Sequence, residues 1–211
     1  MNKDRIMNRL QQHLDAVRES GQDWLGIFLQ GSQNYGLDYE SSDIFTPYYI
    51  LNPIYADLFQ PIWDAREDIA RYNNYAGMSC LLGMALEKQK AMEHPYPATI
   101  DKIERFGYDP KQLHHALRMR EFMTRYMADE KYSDCLVSKQ ADYLVEVKRG
   151  CHSLEEARRL MQEAVDSMKA DKQQYMDTTP VCINEHANEV MQTATVEILK
   201  RCFLMELQGG E

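Results

Sequence analysis

Strand-forming patterns are confined to the first quarter of this chain, and that shortage limits the folds it can adopt. The apolar run Trp24–Leu29 predicts one buried strand, and the run Ile44–Leu51 predicts a second. Two strands alone do not make an independently stable sheet. After about residue 52 the sequence is typical of helix almost throughout. The predicted fold class is therefore α+β, with an incomplete sheet over residues 1–51 and a mainly α-helical bundle over residues 52–211.

Capping residues mark where several of the predicted helices begin. Asp109 precedes Pro110, which suits an N-cap followed by proline in the first turn. Ser153 and Glu156 have the spacing of a capping box, and Pro61 is interpreted as a first-turn residue of a long helix. The predicted helices cover residues 3–19, 62–92, 110–128, 153–176 and 185–207, with shorter helical elements at 55–60, 101–106 and 138–148.

The first predicted strand leads into a loop whose residue types suit phosphate binding. A Gly-Ser turn at the start of a helix offers backbone N–H groups and a hydroxyl, which are the groups that a triphosphate needs. A carboxylate that follows it can hold a divalent metal ion beside those phosphates. An ordinary strand-to-helix turn with a serine cap is the alternative interpretation. The candidate phosphate-binding residues are Gly31, Ser32, Tyr35, Gly36 and Ser42, and Asp43 is the candidate catalytic and metal-binding residue.

This order of strand, Gly-Ser turn, short helix and acidic residue resembles the signature of the DNA polymerase β-like nucleotidyltransferase superfamily. The resemblance implies a small mixed catalytic sheet, with Mg²⁺ or Mn²⁺ as the cofactor. It also implies transfer of a nucleoside monophosphate from a nucleoside triphosphate to a hydroxyl, with release of pyrophosphate by a two-metal mechanism. The acceptor stays open between an RNA end, a protein side chain and a small molecule.

The chain departs from the family pattern directly after Asp43. The pattern is Asp-x-Asp, but position 45 is Phe45, whose side chain cannot bind a metal ion. No later strand is evident to carry a third carboxylate. The junction between Ile44 and Phe45 is therefore interpreted as the place where a block is missing, through a deletion in the chain or a gap in the sequence. Two functions stay open: an active nucleotidyltransferase, or an inactive relative that acts as a nucleotide-binding or helical interaction module.

A second group of candidate residues lies in the helical half. Lys111, His115 and Arg118 fall at i, i+4 and i+7, so they share one face of a helix. Such a basic face could bind a triphosphate or a substrate phosphate, and a solvated helix face is the alternative. The run Gly-Tyr-Asp-Pro-Lys, beginning at Gly107, resembles the helical region that follows the catalytic domain in related nucleotidyltransferases. The neighbouring His114 is interpreted as a packed or capping residue.

Composition sets the remaining expectations. The formal net charge of -9 argues against broad binding to duplex DNA or to an anionic membrane. No apolar run approaches the roughly eighteen residues of a transmembrane helix, and the first residues do not resemble a signal peptide. An odd number of widely spaced cysteines indicates reduced thiols and a cytoplasmic location. The cysteines are Cys80, Cys135, Cys151, Cys182 and Cys202.

Overall fold

The computed structural model describes residues 3–20, 26–28 and 49–208, and this part of the chain is mainly α-helical. Strand β1 (Gly26–Phe28) pairs antiparallel with β2 (Tyr49–Leu51), and Ile27 lies opposite Ile50. The predicted α+β class with a mixed sheet is wrong. A mixed sheet needs both parallel and antiparallel neighbours, and the described residues supply one antiparallel pair of three-residue strands.

The helices account for most of the described chain. Among these residues no helix is both long and apolar enough to cross a lipid bilayer. A 3₁₀ turn at Pro53–Tyr55 precedes the second helix. The helices are α1 (Lys3–Glu19), α2 (Ala56–Asp64), α3 (Arg66–Ala70), α4 (Asn74–Ala91), α5 (Ile100–Phe106), α6 (Pro110–Met127), α7 (Tyr132–Cys135), α8 (Ala141–Lys148), α9 (Leu154–Thr178) and α10 (Glu185–Gln208).

The predicted long helix over residues 62–92 is wrong, because three helices occupy that range. Pro61 lies inside α2 rather than in the first turn of a helix. The decisive break is Asn73, whose side chain accepts a hydrogen bond of 2.8 Å from the backbone N–H of Ala76. Asparagine is among the best N-cap residues, so α4 begins afresh at this point.

Two other predicted helix starts are confirmed by their caps. Asp109 accepts a hydrogen bond of 3.1 Å from the backbone N–H of Lys111 at the start of α6. Ser153 accepts one of 3.2 Å from the backbone N–H of Glu156 at the start of α9. Both are local interactions between residues two or three positions apart, which is why the sequence alone could locate them.

The described chain divides into two compact units. In the first unit, α10 packs against α2 and α3. The second unit covers residues 73–183 and contains α4 to α9, with its core between α4, α6, α8 and α9. The predicted division at residues 1–51 and 52–211 stays a prediction. The largest fully buried side chains of the second unit are Tyr108, Met78, Leu113, Met123, Leu144, Met161, Met168, His114, Val147 and Val165.

Asn74 joins the two ends of the second unit. Its amide nitrogen donates to the carbonyl of Pro180 at 3.0 Å and to the hydroxyl of Tyr175 at 3.3 Å. Its amide oxygen accepts from the backbone N–H of Cys182 at 2.9 Å. These contacts show that Asn74 bonds to α9 and to the loop that follows it. An isolated bridge between residues 73 and 183 extends the same junction.

Arg125 fastens the end of α6 to the segment that follows it. Its side chain is 10% exposed and lies 2.8 Å from a carboxylate oxygen of Glu130. Its guanidinium also donates to the carbonyls of Asp134 at 2.8 Å and Val137 at 2.6 Å. Glu121, one turn earlier on α6, is 3.8 Å away. The planar guanidinium thus satisfies groups from α6, α7 and the loop after α7 at once.

We expect Arg125→Met to lower the free energy of unfolding by on the order of 3 kcal/mol, because it removes the charge-assisted hydrogen bonds that a largely buried guanidinium makes to Glu130 and two backbone carbonyls. Urea unfolding measures the change. The matched control is Arg159→Met, which removes an exposed pair with Glu163 at 2.6 Å and should cost less than about 1 kcal/mol. An equal loss in the two variants would contradict the importance given to Arg125.

Candidate functional site

Most of the predicted site residues lie in the part of the chain that the structure does not describe. The predictions for them, and for the Ile44–Phe45 junction, therefore stay predictions. Lys111, His115 and Arg118 are described, and all three lie on α6. The predicted site residues outside the described ranges are Gly31, Ser32, Tyr35, Gly36, Ser42 and Asp43.

Asp109 determines where α6 begins and so places the basic residues on one face. Its carboxylate, 1% exposed, caps the helix and accepts a second hydrogen bond of 2.9 Å from the side chain of Gln112. Lys102 lies 3.5 Å from the same carboxylate and compensates its charge. Because the first turn is fixed in this way, Lys111 and His115 are one turn apart on a defined face of the helix.

The structure brings His115 and Arg118 to one cavity, and it adds basic residues that the sequence analysis did not select. The charges of Lys111, Lys88 and Lys148 act on the imidazole of His115, as does that of Arg118. Lys111 is exposed and does not line the cavity itself. Lys88 belongs to α4 and Lys148 to α8, so only the tertiary packing of three helices shows that these side chains belong together.

The two histidines at the centre of this group are held neutral. Burial lowers the pKa of His114 to about 3, and the positive surroundings act in the same direction. The pKa of His115 is lowered to about 4, mainly by burial and further by the charges of Lys111 and Lys88. The two rings meet edge to face with centroids 5.0 Å apart. Burial is thus the main cause of both shifts, and the nearby cations lower the pKa of each imidazole further.

His114 has unmet hydrogen-bonding capacity. It is 1% exposed, and neither ring nitrogen has a hydrogen-bond partner among the described residues. The packed role expected for it is therefore correct, but it caps no helix terminus within those residues. A buried polar group without a partner costs folding free energy.

Helices α4 and α6 run antiparallel where they form the cavity. Gly77 lies beside Tyr126 near one end of the pair, and Lys88 acts on His115 near the other. The cavity has a volume of about 230 Å³. Its walls come from α4, α6, α7 and the residue after α7. The lining residues are Leu81, Met84, His115, Arg118, Met119, Phe122, Tyr132 and Leu136.

No metal site can be assigned within the described ranges. No group of three or more histidine, cysteine, aspartate or glutamate side chains there is arranged to hold a metal ion. Asp43, the residue that the resemblance assigns to the metal, lies outside these ranges. All five cysteines carry free thiols.

Comparison with models of protein families, with curated proteins and with solved structures finds no match to this chain. The resemblance to nucleotidyltransferases therefore depends on the sequence motifs alone. Those motifs are the Gly-Ser turn with Asp43 and the Gly-Tyr-Asp-Pro-Lys run that begins α6. The cavity lined by His115 and Arg118 is an observation of the structure and does not depend on that resemblance.

We expect the free energy of unfolding to fall by about 2 kcal/mol for His114 alone between pH 7.5 and pH 5. The pKa of His114 is about 3 in the folded chain, against an ordinary histidine value of 6.5, so the unfolded chain binds the extra proton. The stabilisation is complete above about pH 6.5 and is lost as the pH falls towards the folded pKa. Urea unfolding at both pH values measures it.

His114→Leu should remove that share of the pH dependence while keeping the helix. His94→Leu, at an exposed position after α4, is the matched control for replacing an imidazole with leucine. An identical pH profile for the parent chain and His114→Leu would contradict the assignment.

Proposed function

We propose that this protein binds a nucleoside triphosphate and that its phosphates lie against the basic cluster. We define the basic cluster as Lys88, Lys111, His115, Arg118 and Lys148. The observation that carries the proposal is a cavity lined by His115 and Arg118 of α6, with Lys88 of α4 and Lys148 of α8 near enough for their charges to lower the pKa of His115. Phosphates accept charge-assisted hydrogen bonds from lysine and arginine, which are the charged side chains of this cluster.

The sequence motifs supply the reason to choose a triphosphate among anions. Ser32 and the backbone around Gly31 are the groups that the resemblance assigns to phosphates. The net charge of -9 opposes long duplex DNA, whereas it leaves a local basic cluster able to bind a small anion. A cytoplasmic location, where nucleoside triphosphates are abundant, belongs to the same proposal.

Nucleotide transfer to a hydroxyl acceptor is the second candidate function. The sequence feature that favours it is Gly31-Ser32 followed by Asp43, with Mg²⁺ or Mn²⁺ as the cofactor that the resemblance implies. Phe45 opposes it, because it stands where the family has a second carboxylate. We therefore place binding first, and we treat the chain as a nucleotide-binding relative of the transferases. An RNA end, a protein side chain and a small molecule remain the acceptors to compare.

Replacing two lysines of the basic cluster tests binding. We expect the double variant Lys88→Gln/Lys111→Gln to bind a magnesium nucleoside triphosphate about tenfold more weakly or worse, because two favourable charges are lost. Isothermal titration calorimetry gives the affinity. Lys169→Gln/Lys172→Gln on α9 makes the same change in net charge away from the cluster and should bind as the parent does. Equal affinities in the two double variants would contradict the proposal.

Pyrophosphate release separates binding from transfer. With Phe45 at the second carboxylate position, we expect release at least about a thousandfold slower than a complete two-metal site would support. We also expect Ser32→Ala/Asp43→Ala to lose magnesium-dependent triphosphate binding. A coupled pyrophosphate assay with each acceptor class measures release. Rapid metal-dependent release of pyrophosphate by a chain of confirmed mass would contradict this expectation. Asp57 would be a poor substitute for the missing metal-binding carboxylate, because Arg201 already binds it at 2.7 Å.

A further inference from the structure

The cavity between α4 and α6 changes from apolar to basic along its length. On α4, Leu81 and Met84 lie nearer the start of the helix, and Lys88 follows one turn after Met84. On α6 the order is reversed, with His115 before Phe122. Since the two helices run antiparallel, both place their basic residues at one end and their apolar residues at the other.

The apolar end offers a surface suited to a flat ring. Phe122 and Tyr132 meet edge to face with centroids 5.2 Å apart. Met84 and Met119 add two polarisable thioethers that adapt to aromatic surfaces. Met84 is 36% exposed, so the cavity can be reached from solution. Aromatic and methionine walls of this kind favour stacking or edge contacts with another ring.

The size of the cavity limits what it can accept. Its volume of about 230 Å³ is below the roughly 300–1,000 Å³ of pockets that enclose a whole drug-sized ligand. One ring system therefore fits, while the rest of the ligand stays outside. Arg118 and His115, at the boundary between the two ends, lie where an anionic remainder would leave the cavity.

We propose that the apolar end of this cavity binds the base of the nucleoside triphosphate whose phosphates lie on the basic cluster. This inference rests on the proposed function and adds the position of the base. Recognition by stacking tolerates different bases, because every base has a π-face, so we expect only modest preference between purines and pyrimidines. The base should nevertheless strengthen binding relative to the phosphates alone.

Comparing a nucleoside triphosphate with inorganic tripolyphosphate tests the inference. The parent chain should bind magnesium ATP roughly tenfold more tightly than magnesium tripolyphosphate in calorimetry, because only ATP carries a base to stack. Met84→Trp fills the cavity, and it should remove most of this difference while leaving tripolyphosphate affinity unchanged. Met176→Trp on α9 is the matched control, since Met176 is also 36% exposed and lies outside the lining residues.

A second variant tests the base assignment without adding an indole that could disrupt the fold. Tyr132→Leu removes one ring without filling the cavity, and it should weaken ATP severalfold and leave tripolyphosphate unchanged. Urea unfolding shows which variants are folded. If no folded variant loses ATP selectively, or if a folded variant loses both ligands equally, the base assignment is wrong. If the parent chain binds neither ligand, the proposed function itself is wrong, which distinguishes the two failures.

Discussion

The close antiparallel packing of α4 against α6 is the constraint on which the second unit depends. A side chain at residue 77 would place its first carbon 3.3 Å from the hydroxyl oxygen of Tyr126, so glycine permits an approach that a larger residue would resist. Met78 and Ala85 of α4 are buried, and so is Leu113 of α6.

The basic cluster places positive charges beside a buried histidine, an arrangement that folding alone does not favour. Two neutral histidines lie among four cations, and His114 is buried with no hydrogen-bond partner among the described residues. Arg125, by contrast, is buried with its donors directed at carboxylates and carbonyls. Arg125 therefore has a structural role, whereas the buried ring nitrogens of His114, which does not line the cavity, stay without a partner among the described residues.

Sequence patterns predicted the parts of the structure that local interactions decide. The start of α6 follows from Asp109 and Pro110, and that start fixes the shared face of Lys111 and His115. The break before α4 is also a local signal, carried by Asn73, but the helix predicted over residues 62–92 runs through it. Lys88 and Lys148 could not be selected from sequence, because their nearness to α6 depends on packing between elements far apart in the chain. The mixed sheet was expected from family resemblance rather than from strand patterns, and it is the element that failed.

The junction at Asn74 has a consequence for the order of folding. Tyr55 and Cys202 of the first unit make contact although 147 positions separate them in sequence. Closing a loop of this length before other contacts have formed costs more entropy than closing a short loop. Contacts between residues far apart in the sequence also form slowly. Once residues 73 and 183 are bridged, the chain between Tyr55 and Cys202 is shortened to the two flanking segments. Prior folding of the second unit thus shortens the loop that the contact between Tyr55 and Cys202 has to close.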